Sequence, residues 1–219
     1  MRIAVLGTGT VGRTLASGLH GLGNEVVIGT RDPASTLLRD GTDGFGAWAA
    51  AHPDVTVATF AEAAQGAELV VNALSGEASA TGIAAAELAQ GTVLLDVSNP
   101  LDASGGFPPN LFVTNTDSLA EQLQRAFPDV RVVKTLQTMA AHLMTGPDQL
   151  PGGAFSTFVS GDDAGAKLLV IGLLTQLGHT DVIDLGDLGG ARGTEALLLL
   201  WLRLYQVLGT ADFAFKIVR

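Results

Sequence analysis

The chain has 219 residues and a formal net charge of −10, with 12 lysines and arginines against 22 aspartates and glutamates. This acidic balance disfavours nucleic acid and anionic membranes as partners, because both attract basic surfaces. There is no cysteine, which excludes disulfide bonds, thiolate nucleophiles and cysteine-ligated metal. The sequence shows no signal peptide, and its longest apolar segment, 196–208, contains Arg203 and is too short to span a bilayer, so we expect a cytoplasmic protein.

The amino-terminal stretch predicts a strand, a glycine-rich turn and a helix in direct succession. Residues 3–6 form a short apolar run, as buried parallel strands do. The run stops at Gly7-Thr8-Gly9-Thr10-Val11-Gly12, which is G-x-G-x-x-G, and apolar residues then recur at helical spacing. In this motif the first glycine permits the tight turn, the second lets the backbone approach a pyrophosphate, and the third lets helix and strand pack closely. The stretch therefore predicts a dinucleotide site at a helix N-terminus.

The residues after the second predicted strand, 25–28, indicate which dinucleotide binds. NAD sites place an acid there, whereas NADP sites carry small polar and basic residues for the 2′-phosphate. This chain has Thr30 and Arg31, a hydroxyl and a guanidinium that suit a phosphate, which favours NADP(H). The following Asp32 is interpreted as the N-cap of a helix that Pro33 opens. A solvated Arg31 without a ligand is the alternative.

Strands and helices continue to alternate along the chain, with short glycine-rich connections. This order predicts an α/β fold with a Rossmann-type, doubly wound parallel sheet. Segment 101–109 is predicted to be a loop because proline and glycine interrupt it. Further strands are predicted at 55–57, 68–74, 92–97 and 131–136, and helices at 33–39, 47–51, 60–65, 78–89 and 118–127.

A proline- and glycine-rich segment at 144–153 is the best candidate for a domain boundary. We expect an NADP-binding Rossmann domain over 1–145 and a small C-terminal α+β extension over 146–219 that serves the substrate or dimerisation. Within the extension, strands are predicted at 154–160 and 180–185, and helices at 162–177 and 195–208.

In an open parallel sheet the ligand lies beyond the carboxyl ends of the strands. The residues expected there are small, amide and hydroxyl side chains, with no evident general acid, nucleophile or metal cluster. Hydride transfer between two flat rings needs mainly proximity and orientation, so we predict no catalytic side chain and no metal. The segments expected at this edge are 7–12, 30–31, 72–75, 98–101 and 136–141.

Several other side chains have structural interpretations. Of the histidines, only His142 is expected near the pocket, whereas His179 is predicted to lie on the surface. Lys134 is expected to have a structural or rim role. Arg192 either pairs with an acid such as Asp187 or faces an anionic ligand. Trp201 and Tyr205 lie at helical spacing and are expected in the core or a dimer interface.

With these residues in view, the chain resembles the NADP-dependent oxidoreductases of the coenzyme F420 family, and is similar to the reductase domain of metalloreductases. The resemblance implies hydride transfer between NADP(H) and a deazaflavin (coenzyme F420) or flavin-like acceptor, commonly in a homodimer. The C-terminal stretches that match are more specific to this family than the glycine motif, which many families share. The matching stretches are IAVLGTGTVGRTLASGLHGLGNEVVIGTRDP, LLDVSNPLD, RVVKTLQTMAAHLM, FVSGDDAGAKLLV and DLGDLGGARGTEAL.

By position, the resemblance implies that Thr8, Thr10 and Val11 line the phosphates, that Thr30 and Arg31 hold the 2′-phosphate, and that Leu74, Asn99 and Ala141 lie by the nicotinamide. Together with the segments above, the predicted cofactor contacts are Gly7, Thr8, Gly9, Thr10, Val11, Gly12, Thr30, Arg31, Asn72, Ala73, Leu74, Ser98, Asn99 and Ala141, and the predicted substrate contacts are Gln137, Thr138, Met139 and Gly189.

The residues do not decide which molecule accepts the hydride, because the chain departs from the family pattern. It has Gln137-Thr138 where archaeal-type reductases carry His-Thr, and Gly189-Gly190-Ala191 where they carry hydroxyl residues. One alternative is reduction of a carbonyl or imine, which needs a proton donor beside the reacting atom. The related β-hydroxyacid dehydrogenases supply a lysine with an asparagine one turn on, but here Ile171 follows Lys167. A redox sensor that binds NADP(H) without turnover is the other alternative.

Overall fold

The computed structural model describes residues 1–39, 41, 44–150 and 155–219. Two 3₁₀ turns, Pro147–Gln149 and Leu188–Gly190, accompany the regular elements. The strands and α-helices in chain order are β1 (Arg2–Leu6), α1 (Thr10–Gly21), β2 (Glu25–Thr30), α2 (Pro33–Leu37), α3 (Phe45–Ala51), β3 (Thr56–Thr59), α4 (Phe60–Ala64), β4 (Leu69–Asn72), α5 (Gly76–Ala85), β5 (Val93–Asp96), β6 (Leu101–Asp102), β7 (Asn110–Leu111), α6 (Leu119–Ala126), β8 (Arg131–Thr135), α7 (Ala141–Thr145), β9 (Ser156–Ser160), α8 (Ala164–Gln176), β10 (Asp181–Asp184) and α9 (Ala191–Leu208).

Within the described residues, eight strands form one sheet in the order β10-β9-β8-β5-β4-β1-β2-β3. All neighbours pair parallel except β8 and β9, which are antiparallel. The order runs outward from β1 in both directions, so the connections leave a crevice beyond the carboxyl ends of β1 and β4. The predicted Rossmann-type α/β fold is confirmed.

The sheet is buried on both faces, which explains why its central strands are continuous apolar runs. In β1, Ile3 and Val5 belong to the core on one face, while Ala4 and Leu6 belong to the core on the other. Leu15 and Leu19 of α1 join the first core, so the helix that follows the glycine turn is fixed directly against β1. No described helix is long and apolar enough to cross a membrane.

Several local predictions differ from the structure, and one is the helix predicted at 78–89, which spans Gly76–Ala85 as α5. The segment predicted as a loop at 101–109 begins with β6, which pairs with β7 in a short antiparallel hairpin. Strands of two residues are too short to show a periodic pattern, so they could not be predicted from the sequence. Helix α7 was not predicted, and α9 begins at Ala191 rather than at Glu195, because Ala191 is buried in the core beneath α6. Part of the predicted boundary, 151–153, lies outside the described residues.

Candidate functional site

The glycine turn is shaped by two close approaches. Gly7 has φ +125°, and a Cβ there would lie 2.5 Å from the Ala73 carbonyl oxygen. A Cβ on Gly12 would overlap the Gly7 carbonyl, so α1 reaches the strand only with glycine at that position. By contrast, a Cβ on Gly9 would meet nothing within 4 Å. The space above the turn is open, and no described side chain caps α1, which leaves its first N–H groups available to a phosphate.

A crevice of about 260 Å³ lies between this turn and the end of β2, and we call it the arginine crevice. Thr30 is 8% exposed, and its hydroxyl lies 2.9 Å from the hydroxyl of Thr36. Asp32 accepts from the Ser35 N–H at 3.0 Å, which confirms the predicted N-cap of α2. The polar residues that line the arginine crevice are Thr8, Thr30, Arg31, Asp32, Ser35, Thr36 and Arg39.

Sequence reasoning missed Arg39, which it treated only as the end of a helix. The Arg39 Nη2 donates to the Thr8 hydroxyl at 2.6 Å, and its guanidinium lies 5.7 Å from the centre of the Phe45 ring. The chain returns toward the glycine turn after the five-residue α2, and Arg39 thereby lines the same crevice as Arg31. No residue spacing in the sequence predicts that the chain after α2 comes back to the glycine turn.

An apolar pocket of about 440 Å³ adjoins the arginine crevice along α5, and we call it the α5 pocket. Arg31, Phe60 and Leu74 line both spaces, so the two are continuous. Ala78 and Thr81 of α5 complete its wall. A flat heteroaromatic ring would find apolar packing here, and Arg31 contributes to the lining.

A larger cavity of about 650 Å³ lies beyond β4 and β5, and we call it the hairpin cavity because residues 101–104 of the β6–β7 segment wall it. Asn99 is half-buried on its floor, and its Nδ2 donates to the Gln137 carbonyl at 3.2 Å. The Asn99 Oδ1 is buried and finds no hydrogen-bond partner among the described residues. An acceptor of this kind suits a ligand amide. Predicted cofactor residues that line the cavity are Val11, Ala73, Leu74, Ser98 and Asn99.

Beneath the hairpin cavity lies a fully buried ammonium group. Lys134 Nζ donates to Asp96 Oδ2 at 2.8 Å, lies 3.0 Å from Glu195 Oε1, and also donates to the Ser98 carbonyl. Burial alone would lower the pKa of Lys134, but the two carboxylates outweigh it and raise that pKa above its usual value. Lys134 is therefore structural, as expected, and it lies in the core rather than at a rim.

The same network joins three segments of the chain. Glu195 accepts from the backbone N–H groups of Leu119 and Ala120 at 2.8 and 3.1 Å, at the start of α6. Asp96 accepts from the Ser98 N–H and hydroxyl at 3.1 and 2.7 Å. The backbone that leads to Asn99 is thus fixed by buried charges, which the sequence reasoning did not anticipate.

The remaining predicted contacts do not line the hairpin cavity. Asn72 is fully buried, and its Nδ2 donates to Ser79 and Asp96. Gln137, at 3% exposure, donates to the Thr194 hydroxyl at 2.6 Å. Thr138 and Met139 are also buried, at 4% and 7% exposure, while the half-buried Ala141 begins α7.

The turn into this segment explains its inward orientation. Leu136 has φ +64°, an uncommon conformation for leucine, and it is 1% exposed. The chain therefore reverses sharply after β8, which directs Gln137 toward α9. Gly189 lies elsewhere, in a polar groove between α6 and the start of α9.

Two polar side chains in the C-terminal part of the chain differ from the predictions. His179 is 3% exposed rather than on the surface, with ring nitrogens 2.8 Å from the Thr157 hydroxyl and 3.0 Å from the Met144 carbonyl. Arg192 pairs with an acid, which was one of its two expected roles, but the partner is Glu121, through contacts of 2.6 and 2.9 Å, instead of Asp187. The hydrogen bond from Arg192 lowers the pKa of Glu121.

Other residues considered from the sequence lie away from the crevice. Tyr205 is 40% exposed and stacks on Trp201. His142 lies 3.1 Å from Asp212 on the C-terminal tail. Lys167 bonds Asp184 at 2.9 Å. Across the described ranges, no group of three or more histidine or acidic side chains is arranged to hold a metal ion.

Comparisons with known proteins identify what the chain is similar to. A family model described as NADP oxidoreductase, coenzyme F420-dependent, matches residues 2–100. The F420-dependent NADP reductase of Methanothermobacter marburgensis is 31% identical over 220 residues, which covers 93% of this chain and 92% of that protein. The rat metalloreductase STEAP3 is 30% identical over 208 residues, and the match covers 94% of this chain but 38% of that protein.

Among solved structures, an Arthrobacter sp. FB24 protein provisionally named an F420-dependent NADP-reductase has a TM-score of 0.98 with this chain. The two are 57% identical, and the match covers all of both chains.

Proposed function

Because the chain belongs to the family of coenzyme F420-dependent NADP oxidoreductases, we propose that it transfers a hydride between NADP(H) and a deazaflavin or another flavin-like acceptor. The observation that carries the proposal is the chain of adjoining spaces at one edge of the sheet. The arginine crevice, the α5 pocket and the hairpin cavity share walls around Leu74, and the glycine turn lies between them. An extended dinucleotide with phosphates at its centre matches this arrangement.

The proposed cofactor position follows from the chemistry of each space. The pyrophosphate lies on the glycine turn, where the N–H groups at the start of α1 point outward. Thr30 and Arg31 receive the 2′-phosphate, and the adenine ring occupies the α5 pocket. The nicotinamide enters the hairpin cavity beside Leu74 and Asn99, where the unpartnered Asn99 Oδ1 accepts from the carboxamide. Gly189 is left out of this site because it lines a different groove.

The protein's role in the reaction is mainly to orient two rings. Bound NADPH would supply a hydride to the deazaflavin ring, with a proton from solvent completing the reduction, and Leu74 and Asn99 would hold the nicotinamide for that transfer. No side chain has to donate a proton to the reacting carbon, so proximity and alignment supply most of the acceleration. The Lys134 network supports this by holding Ser98 and Asn99 in one position.

We further propose a cytoplasmic homodimer that uses the outer face of α9. Leu200 and Val207, seven residues apart on one face of this helix, are 50% and 81% exposed, and large exposed apolar groups on one helix face are typical of an interface. Sedimentation equilibrium would measure the mass in solution, and Leu200→Glu is expected to convert a dimer into a monomer. A monomeric wild-type protein would contradict this assembly.

Steady-state oxidation of NADPH with a panel of acceptors tests the function. The panel contains a deazaflavin, free flavins, small carbonyl compounds and imines. Turnover with the deazaflavin or a flavin supports the proposal, whereas turnover with carbonyls or imines alone favours that other reductase activity. Tight NADPH binding without turnover on any acceptor would instead indicate a redox sensor.

A further inference from the structure

The arginine crevice concentrates positive charge in an acidic protein. Arg31 and Arg39 both line it, and within the described ranges neither forms an ion pair, whereas Arg2, Arg125 and Arg192 elsewhere all do. Resting on the function proposed above, we propose that Arg39 is a second specificity-determining residue for the cofactor, and that it grips the 2′-phosphate from the side opposite Arg31.

The backbone around Arg39 is held firmly enough to aim its side chain. The Arg39 N–H donates to the Thr36 carbonyl at 3.2 Å, and the Arg39 carbonyl accepts from the Gly46 N–H at 3.2 Å. A Cβ on Gly46 would overlap the Leu37 carbonyl, so α3 begins in close contact with the end of α2. The Phe45 ring then supports the guanidinium. The side chain leaves this platform toward the glycine turn.

The hydrogen bond from Arg39 to Thr8 spans the arginine crevice. It joins the segment after α2 to the turn on which the pyrophosphate is proposed to lie. A guanidinium has five N–H donors in a fixed plane, so Arg39 can keep this bond and still present donors to a phosphate. The one carboxylate in the described lining, Asp32, is directed at Ser35 through two hydrogen bonds, and these lower the pKa of Asp32.

The two arginines differ in what else they touch. Arg31 lines the α5 pocket as well as the crevice, so its removal takes away part of the proposed adenine wall. Arg39 lines the arginine crevice but not the α5 pocket, and it contacts Thr8. An Arg31 variant should therefore lose some affinity for every adenine dinucleotide, whereas an Arg39 variant should lose affinity only for those that carry the 2′-phosphate. Replacing Arg39 should therefore separate the effect of the 2′-phosphate from that of the adenine ring better than replacing Arg31.

The test is isothermal titration calorimetry on the full chain with four probes: NADPH, NADH, adenosine 2′,5′-bisphosphate and 5′-AMP. Arg39→Met is expected to raise the Kd for NADPH and for the bisphosphate about tenfold or more, and to change the Kd for NADH and 5′-AMP less than twofold. Arg219→Met is the matched control, because Arg219 bonds Asp181 of β10 at 2.9 Å, at the edge of the sheet opposite β3, and it should leave all four values unchanged.

Equal changes for phosphorylated and unphosphorylated probes, or no change, would overturn the inference. If Arg39→Met fails to fold by circular dichroism, Arg39→Lys takes its place, with a loss confined to the same two probes. Failure of the proposed function looks different: a wrong cofactor assignment would leave the wild-type protein with no preference for NADPH over NADH, and a wrong reaction would show as NADPH binding without turnover of a deazaflavin or flavin. A wild-type preference that is unchanged in size at Arg39→Met would refute only the role of Arg39.

Discussion

Replacing Lys134 by methionine is expected to lower the free energy of unfolding by about 3 kcal/mol or more, at the lower end of the range for breaking a buried ion network. The side chain is fully buried, and methionine fills most of its volume, so a cavity contributes little. The loss comes from Asp96 and Glu195, whose carboxylates would remain buried without the ammonium group between them.

The size of this loss in unfolding free energy depends on the hydrogen bonds that the two carboxylates keep in the variant. Asp96 keeps donors from Ser98 and Asn72, and Glu195 keeps the two backbone N–H groups at the start of α6. These donors compensate part of the charge, which places the effect near 3 rather than 5 kcal/mol.

Urea denaturation at pH 7.5 measures this loss. Lys167→Met is the matched control, because Lys167 pairs with a carboxylate of Asp184 that is 44% exposed, and it should cost about 1 kcal/mol or less. A loss at Lys134→Met no larger than at Lys167→Met would refute the argument that this network carries buried charge.

Three further predictions concern the crevice and the core. Arg31→Ala should weaken NADPH binding by about 1.5–3 kcal/mol more than NADH binding, since it removes a charged hydrogen bond to the 2′-phosphate; equal losses in calorimetric titrations would show that Arg31 does not contact it. Gly12→Ala should abolish NADPH binding, because a Cβ there overlaps the Gly7 carbonyl, whereas Gly9→Ala meets open space in the free protein and should fold with wild-type stability; thermal unfolding and titration distinguish the two. His179 has a lowered pKa because it is buried, so the unfolded chain binds the proton more readily and stability should fall as pH drops below about 6.5. His179→Gln should flatten that dependence between pH 7.5 and 5.5, and an unchanged slope would assign it to other groups.

The fold was predictable where short-range sterics and strand burial decide the outcome. The apolar run of β1, the turn at Gly7 and the packing of Gly12 all follow from local rules, and the structure places them as predicted. The N-cap at Asp32 belongs to the same class, because a cap and its helix are adjacent in sequence.

The site was predictable only in part, because several of its features depend on contacts between residues that are far apart in the sequence. Lys134, Asp96 and Glu195 come from three distant segments, and no pattern within any one of them announces a buried triad. Arg39 reaches the crevice through the path of α2 and α3. The left-handed Leu136 turned Gln137 into the protein, which made an expected cavity residue a buried partner of Thr194.

The most direct test of the central claim is the fate of a deuterium label at C4 of the nicotinamide. NADPH labelled on either the pro-R or the pro-S face would be oxidised by the protein with a deazaflavin, and the reduced product analysed by mass spectrometry. The account predicts that the deuterium from one of the two labelled forms appears on C5 of the product, where a carbon-bound label does not exchange with water. Oxidation of both forms with no deuterium in the product would contradict direct hydride transfer between the two rings.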